Sequence, residues 1–361
     1  MRLNLTIPLW TVAAAWVSAL LLGLHGSGMQ GAAWTVALTL SLLATVMAAV
    51  HHAEVVAHRI GEPYGTLVLA LAITIIEVAL IVSLMLSGGP ATAALARDTV
   101  FAAVMLILNG MVGLCLLVGA SRYGEQSFSL LGVSASLTTL AAITILTMVL
   151  PNFTTSVPGP VYSNSQLAFV ALISLILYGT FVLVQAVRHR DYFLPEQDLQ
   201  DEKLHADPPS RTTTLVSSVL LVGSLAGVVL LGKALAPSIE DLVLKWGAPQ
   251  ALFGIIIAAV VLMPEGIAAL RAARVNRLQA SLNLALGSAL ASIGLTIPAV
   301  ALVSIVSGWT LTLGLDTKST VLLVLSLFVC TLSLGTGRTT VLQGAVHLVL
   351  LITYLFTTVV P

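Results

Sequence analysis

Eleven apolar stretches, each close to the length of a bilayer crossing, follow one another along 361 residues with little polar chain between them. A helix needs about 20 apolar residues to cross hydrocarbon. Counted that way, the cores are 7–24, 33–57, 65–87, 99–120, 128–150, 166–187, 213–236, 250–270, 280–306, 319–336 and 340–359. Hydrophobic residues make up 58% of the chain and charged residues only 8%, against about 25% charged in soluble domains. The expected fold class is an all-α polytopic membrane protein with about 11 transmembrane helices, and water-soluble classes are excluded. The opening stretch, residues 1–30, is expected to remain as a first helix and not to act as a cleaved leader, because its apolar run is long and further spans follow.

Loops orient the spans. Gly and Pro clusters such as Ser87-Gly88-Gly89-Pro90 and Val157-Pro158-Gly159-Pro160 separate several of them. With the N-terminus in the cytoplasm, the inner side carries Arg2, Arg59, Arg122, Arg188, Arg190, Lys203, Arg211, Arg271, Arg274, Arg277 and Arg338. The outer side carries only Arg97, Lys233, Lys245 and Lys318. Positive residues favour the inside, so the C-terminus is expected in the periplasm. The one long polar loop, 189–211, is expected in the cytoplasm with Asp191, Glu196, Asp198, Asp201, Glu202 and Asp207.

Two glutamates break the apolar pattern. Glu77 lies within TLVLALAITIIEVALIVSLML, residues 66–86, and Glu265 within LFGIIIAAVVLMPEGIAAL, from Leu252. Each is the sole ionisable group near the middle of its span, where a charge costs about 2.5–3.5 kcal/mol on insertion scales. The surroundings repeat. Glu54-Val55-Val56, Gly61-Glu62-Pro63 and an apolar run lead to Glu77. Glu240-Asp241-Leu242, Gly247-Ala248-Pro249 and an apolar run lead to Glu265, with a register slip of two residues. This divides the chain into repeat 1 (31–188, helices 2–6), the acidic loop, and repeat 2 (212–361, helices 7–11). Five helices per repeat is an odd number, so the copies cross the membrane in opposite senses. Inverted repeats of that kind place a transport site near the midplane at their interface.

At these residues the chain resembles the ChaA-type bacterial cation/proton antiporters, in the CAX-like branch of the calcium/cation antiporter superfamily. The strings that carry the likeness are HRIGEPYGTLVLALAITIIEVALIVSLML, YGEQSF at 123–128, MPEGIAALRAARVNRLQASLNLALGSALASIGLTIPAVAL, and GRTTVLQGA at 337–345. The resemblance implies eleven helices, an acidic loop between the halves, and one glutamate per repeat carrying cation and protons. The wider family's calcium/proton exchangers usually show Gly-Asn ahead of the glutamate, as GNxxE. Here Ile73-Thr74 and Val261-Leu262 stand instead. Thr74 retains a hydroxyl oxygen and Leu262 has none, whereas calcium takes six to eight oxygens. Pro264 removes one helix hydrogen bond and frees a carbonyl near Glu265.

The expected mechanism is competition between protons and a cation for Glu77 and Glu265, the groups expected to hold the transported metal ion. Asn109, Ser288 and Ser292 are candidate neutral ligands on the helices that follow each glutamate. Their bland alternative is helix glue. Thr74, three residues before Glu77 on the same face, could equally bond back to its own helix. His51, Glu54 and His58 share a face and could serve gating or ion access, as could Glu240. An interfacial polar cluster is the plainer reading, and HHAEVVAHR does not fit HExxH. The acidic loop is as well explained as a solvated linker. Gln126 is marked by the resemblance alone.

No cofactor is expected. The partners are the transported ions (Ca2+ or Na+, with K+ open, and H+) and the lipid bilayer. With Lys+Arg and Asp+Glu at 15 each, no bulk field invites nucleic acid. Cys115 and Cys330 fall in apolar runs and read as buried hydrophobes. A secondary antiporter of the bacterial inner membrane is the leading expectation. A cation channel and a monovalent-only exchanger are the alternatives, and an intramembrane hydrolase lacks its motifs.

Overall fold

A computed structural model of the chain describes residues 7–29, 31–61, 64–193 and 209–360. The expectations for Arg2, Glu62, Pro63, Glu196, Asp198, Asp201, Glu202, Lys203 and Asp207 lie outside the described residues. All eleven apolar stretches are helical. They form α1 (Leu9–His25), α2 (Ala32–Ile60), α3 (Tyr64–Gly88), α4 (Leu95–Met105), α5 (Val112–Tyr123), α6 (Leu130–Thr144), α7 (Asn164–Leu183), α8 (Arg211–Lys245), α9 (Ala251–Arg274), α10 (Leu278–Ser307), α11 (Thr317–Leu334) and α12 (Val341–Val359). A π-helical segment, Leu106–Met111, joins α4 to α5 in one span, and among the described residues ten spans are long and apolar enough to cross a membrane. Only α1, at 17 residues, is shorter.

Several ends follow from local chemistry. Ser163 and Gln166 form a capping box that starts α7, and Thr340 and Gln343 form another that starts α12. Asp316 accepts from the Ser319 N–H (2.6 Å) to start α11. The α8 helix departs from expectation. It runs through Pro237 to Lys245 and does not stop at the end of the apolar run at residue 236. Proline removes a single backbone donor, and the polar residues beyond it, including Glu240 and Asp241, continue the helix. Two further π-helical segments, Ile145–Val149 and Val184–Arg188, lie in the spans of α6 and α7. A 3-10 turn containing Pro151 follows the first of them, and the Tyr162 hydroxyl donates to the Leu146 carbonyl (2.6 Å).

The chain packs as two compact units, Met1–Leu84 with His205–Gln250, and Met85–Leu204 with Ala251–Pro361. In the first unit α1, α2 and α8 pack together. A Cβ on Gly227 of α8 would lie 3.2 Å from Ser18 Oγ of α1 and 3.3 Å from Thr45 Cγ2 of α2. On another side of α8, Gly232 takes the Leu80 side chain of α3. Arg59 donates to the Pro209 carbonyl (3.2 Å), tying the end of α2 to the chain just before α8.

The second unit is organised on α10, which contacts α4, α5, α6, α7 and α9. Helix ends meet at its two extremities. At one, Gln126–Ser127 pairs antiparallel with Arg338–Thr339, and the Tyr123 hydroxyl donates to the Arg274 carbonyl (2.9 Å). At the other, Thr312 donates to the Ala93 carbonyl (3.1 Å), Gly314 to that of Pro160 (2.9 Å), and Asn152 to that of Leu315 (2.6 Å). Between these ends α12 crosses α5 closely. A Cβ on Gly344 would sit 2.5 Å from the Leu117 backbone nitrogen, and one on Gly113 would sit 2.9 Å from His347 Cβ. Backbone cannot move aside as a flexible side chain can. Gly344→Val should therefore destabilise the protein by about 1–3 kcal/mol, read as a lower melting temperature of the detergent-purified protein. An unchanged melting temperature would contradict this close crossing.

Candidate functional site

Within the first unit, Glu77 is 4% exposed at mid-helix on α3. Thr74, Ile81 and Leu84 lie on the same helical face and are buried with it, while Leu71 and Ile75 are exposed. This is the pattern of a helix with one face to protein and one to lipid. The Thr74 hydroxyl is thus one turn from the carboxylate and on its side of the helix. On α2 the His51 ring lies 6.1 Å from Trp10 and 5.5 Å from His52, the latter edge to face. Glu54 and His58 are exposed further along the helix, and Glu240 is exposed near the end of α8. Among the described residues, no group of three or more His, Cys, Asp or Glu is placed to hold a metal ion. The His51, Glu54 and His58 stripe forms no such cluster.

Within the second unit, Glu265 is 6% exposed on α9. It follows Pro264, which sits inside the helix without ending it. The Ser288 hydroxyl of α10 donates to Glu265 Oε1 (3.0 Å). Ser292 is buried one turn further along α10. The α9 helix also packs on α4, α5 and the π segment between them. A Cβ on Gly266 would lie 3.7 Å from Met111 Cε, and one on Gly254 would lie 3.0 Å from the backbone carbon of Asp98.

Asn109 occupies the middle of that π segment and is fully buried. Such segments are rare and recur at functional sites. Its Nδ2 donates to Ser326 Oγ of α11 (2.8 Å) and approaches Met105 Sδ (3.8 Å). Its Oδ1 faces His347 Nδ1 of α12 (3.4 Å), and His347 Nε2 meets Ser333 Oγ (2.7 Å). Sequence reasoning missed His347, Ser326 and Ser333. The signal existed for His347, a single ionisable residue within the apolar run AVHLVLLI.

Gln126 acquires a physical role at the end of the unit. Its Nε2 donates to the Ala273 carbonyl (3.3 Å) and to Asn276 Oδ1 (2.9 Å), satisfying groups where α9 ends. Asn276 has φ 61°, an uncommon left-handed backbone, and Gly119 leaves room for the Gln126 amide. Cys115 and Cys330 are buried free thiols.

A bundle of apolar spans with one buried acid in the second helix of each half has the construction of a membrane ion transporter. Comparison with known proteins agrees. The chain belongs to the sodium/calcium exchanger protein family, which matches residues 31–187 and again 216–360. It is 50% identical over 324 residues to the putative ionic transporter y4hA of Sinorhizobium fredii, covering 89% of this chain and 87% of the relative. It is 38% identical over 320 residues to the sodium-potassium/proton antiporter ChaA of Escherichia coli, covering 88% and 86%. Its fold matches the crystal structure of the H+/Ca2+ exchanger CAX with TM-score 0.73 at 16% identity, over 96% of this chain and 87% of that one.

Removing the Gln126 amide takes two hydrogen bonds from the end of α9, each worth about 1 kcal/mol. Gln126→Ala should lower the melting temperature of the purified protein while leaving its cation dependence of transport unchanged. A variant as stable as the parent would show that these bonds do not brace α9.

Proposed function

We propose that this chain is a secondary active antiporter of the bacterial inner membrane, exchanging a cytoplasmic cation for external protons. One observation carries the reading. Each half that matches the exchanger family buries a single glutamate in its second, apolar helix, Glu77 on α3 and Glu265 on α9. An ionised carboxylate at that depth is costly, so each is neutralised either by a proton or by a cation. The two cargoes exclude one another, and alternating access turns that exclusion into exchange. Two carboxylates balance two protons against a divalent ion, or fewer against a monovalent one. The double match to one family supports reading 31–188 and 212–361 as repeats, their five helices each imply opposite sense, and the Lys/Arg bias supports a cytoplasmic loop between them, with the N-terminus inside and the C-terminus in the periplasm. Thr74, Asn109, Ser288 and Ser292 supply neutral oxygens in this reading. His51, Glu54, His58 and Glu240 control ion access.

Two observations favour Na+ or K+ over Ca2+ as the cargo. The position three residues before Glu265 is Leu262, which has no side-chain oxygen, while calcium takes six to eight oxygens. The Escherichia coli relative carries the name sodium-potassium/proton antiporter.

Purified protein in liposomes with a preset pH gradient tests the proposal, stepping through Na+, K+ and Ca2+. The parent should dissipate the gradient on cation addition, whereas a channel would carry cation current driven by the membrane potential alone. Glu77→Gln and Glu265→Gln should each fold and each lose exchange. Wild-type exchange in either variant would overturn the assignment. Ser288→Ala removes one hydrogen bond from the Glu265 carboxylate. It should raise the half-saturating cation concentration by about fivefold, the weight of about 1 kcal/mol; no change would place Ser288 outside the binding site.

A further inference from the structure

Polar atoms without hydrogen-bond partners gather where α1, α2 and α8 meet. His52 of α2 has 0% exposure, yet neither ring nitrogen has a partner among the described residues. The buried hydroxyls of Ser217 and Ser224 on α8 are unpartnered as well. Neighbouring hydroxyls behave differently. Thr45 donates to the Ser41 carbonyl (2.7 Å), Ser18 to that of Ala15 (2.8 Å) and Thr11 to that of Pro8 (2.8 Å). Two contacts set the register of α2 against α8. A Cβ on Gly227 would lie 3.3 Å from Thr45 Cγ2, and Arg59 reaches the Pro209 carbonyl at 3.2 Å, so the two helices run antiparallel. Midway between Thr45 and Arg59 is His52, and midway between Gly227 and Pro209 is Ser218, next to Ser217. Ser224 falls between the levels of Thr45 and His52. On α1 the Trp10 ring stands 6.1 Å from the His51 ring, which brings the buried Thr11 to the same level. The other buried side chains here are small, Ala14 of α1 with Ala48, Ala49 and Ala53 of α2.

A neutral imidazole needs an acceptor for its N–H and a donor for its other nitrogen, and each serine hydroxyl can give one proton and accept at its lone pairs. Leaving these bonds unmade in a low-dielectric interior is costly. Charge does not gather at this level. The His51 ring lies edge to face with His52 at 5.5 Å. Glu54, His58 and Arg59 follow toward the end of α2, Arg211 begins α8, and the one ionisable residue of α1, His25, is at its far end. Among the described residues, no three His, Cys, Asp or Glu gather to hold a metal ion. An imidazole and hydroxyls without a carboxylate suit a neutral ligand that both donates and accepts. Buried water does so, typically making about three hydrogen bonds to groups otherwise unsatisfied. We propose that the interface of α1, α2 and α8 is a hydrated site, in which bound water satisfies His52, Ser217 and Ser224 and exchanges protons with the imidazole. The site goes beyond cation exchange and needs neither Glu77 nor Glu265.

Exchange of the histidine Cε1 hydrogen for deuterium reads such a site directly, because it needs both a protonated ring and a water-borne base at the carbon. The purified protein is held in D2O and digested, and each histidine is followed by mass spectrometry. His58, exposed on the same helix, is the internal reference. His52 should exchange within about tenfold of His58, the weight of one hydrogen bond to a charged ring. Slower exchange than that would overturn the proposal. Ser217→Val replaces the hydroxyl with methyl groups and removes one of the groups that hold the water. It should slow His52 by about tenfold and leave His58 unchanged. An unchanged or faster His52 in this variant would mean that exchange runs through local opening of the helices, and would overturn the hydrated site. Ser224→Val is made in parallel with the same expectation, so that one variant failing to fold leaves the comparison standing. The rate of His52 in the parent decides the matter if neither variant is monodisperse.

Discussion

In hydrocarbon there is no water to complete a hydrogen bond, so every polar atom placed at mid-span must find its partner inside the protein. That constraint shapes the second unit more than any single contact. Serines and threonines on the spans mostly bond back to their own helices, as Thr144 does to Leu140 and Thr358 to Tyr354. The exceptions are informative. Ser288 donates across to Glu265, and Asn109, Ser326, Ser333 and His347 bond to one another across three elements. Side chains that reach between helices, Ser326 and Ser333 while each also keeps a carbonyl of its own helix, mark where the protein has built a polar interior within lipid.

Such an interior needs helices closer together than bulky side chains allow. Apolar packing gives little preference for helix over lipid, so small residues set the approach. Gly344 on α12 lies against the backbone of α5 at Leu117, and Gly113 on α5 lies against His347 Cβ. Gly344 and His347 are three residues apart on one face of α12. The same crossing that brings the backbones together therefore carries the imidazole to Asn109. A side chain at either glycine would push α12 outward and lengthen a contact that is already 3.4 Å. The glycines and the polar network form one device.

The spans were legible in the sequence because hydrophobic length is a direct physical requirement of crossing. The buried acids were legible too, because Glu77 and Glu265 are single exceptions in apolar runs. Three features were not. The helix α8 extends past Pro237 through Glu240 and Asp241, and a count of apolar residues stops where these begin. The π segment at Leu106–Met111 depends on one residue of extra winding, which leaves no trace in hydrophobic periodicity. The ribbon joining Gln126–Ser127 to Arg338–Thr339 is two residues long on each side, too short for any alternation to be read. His347 satisfied the same criterion as the glutamates. An imidazole can be neutral in lipid without a cation, so its presence raises no electrostatic alarm.

On the proposed reading, this chain solves a ligand problem in its own way. Three residues before Glu265, α9 has Leu262, so that turn of helix offers the carboxylate and no neutral side-chain oxygen. The oxygens come instead from neighbouring elements: Ser288 on α10, already within 3.0 Å of Glu265, and Asn109 on a π segment that packs against α9. Moving a ligand from the glutamate's own helix to another element changes what holds it. An asparagine beside the glutamate is positioned by that helix. An asparagine on a separate element needs its own support, and the Asn109 amide meets Ser326 of α11 and His347 of α12. A small, rigid set of oxygens suits a monovalent ion better than one that seeks six to eight ligands.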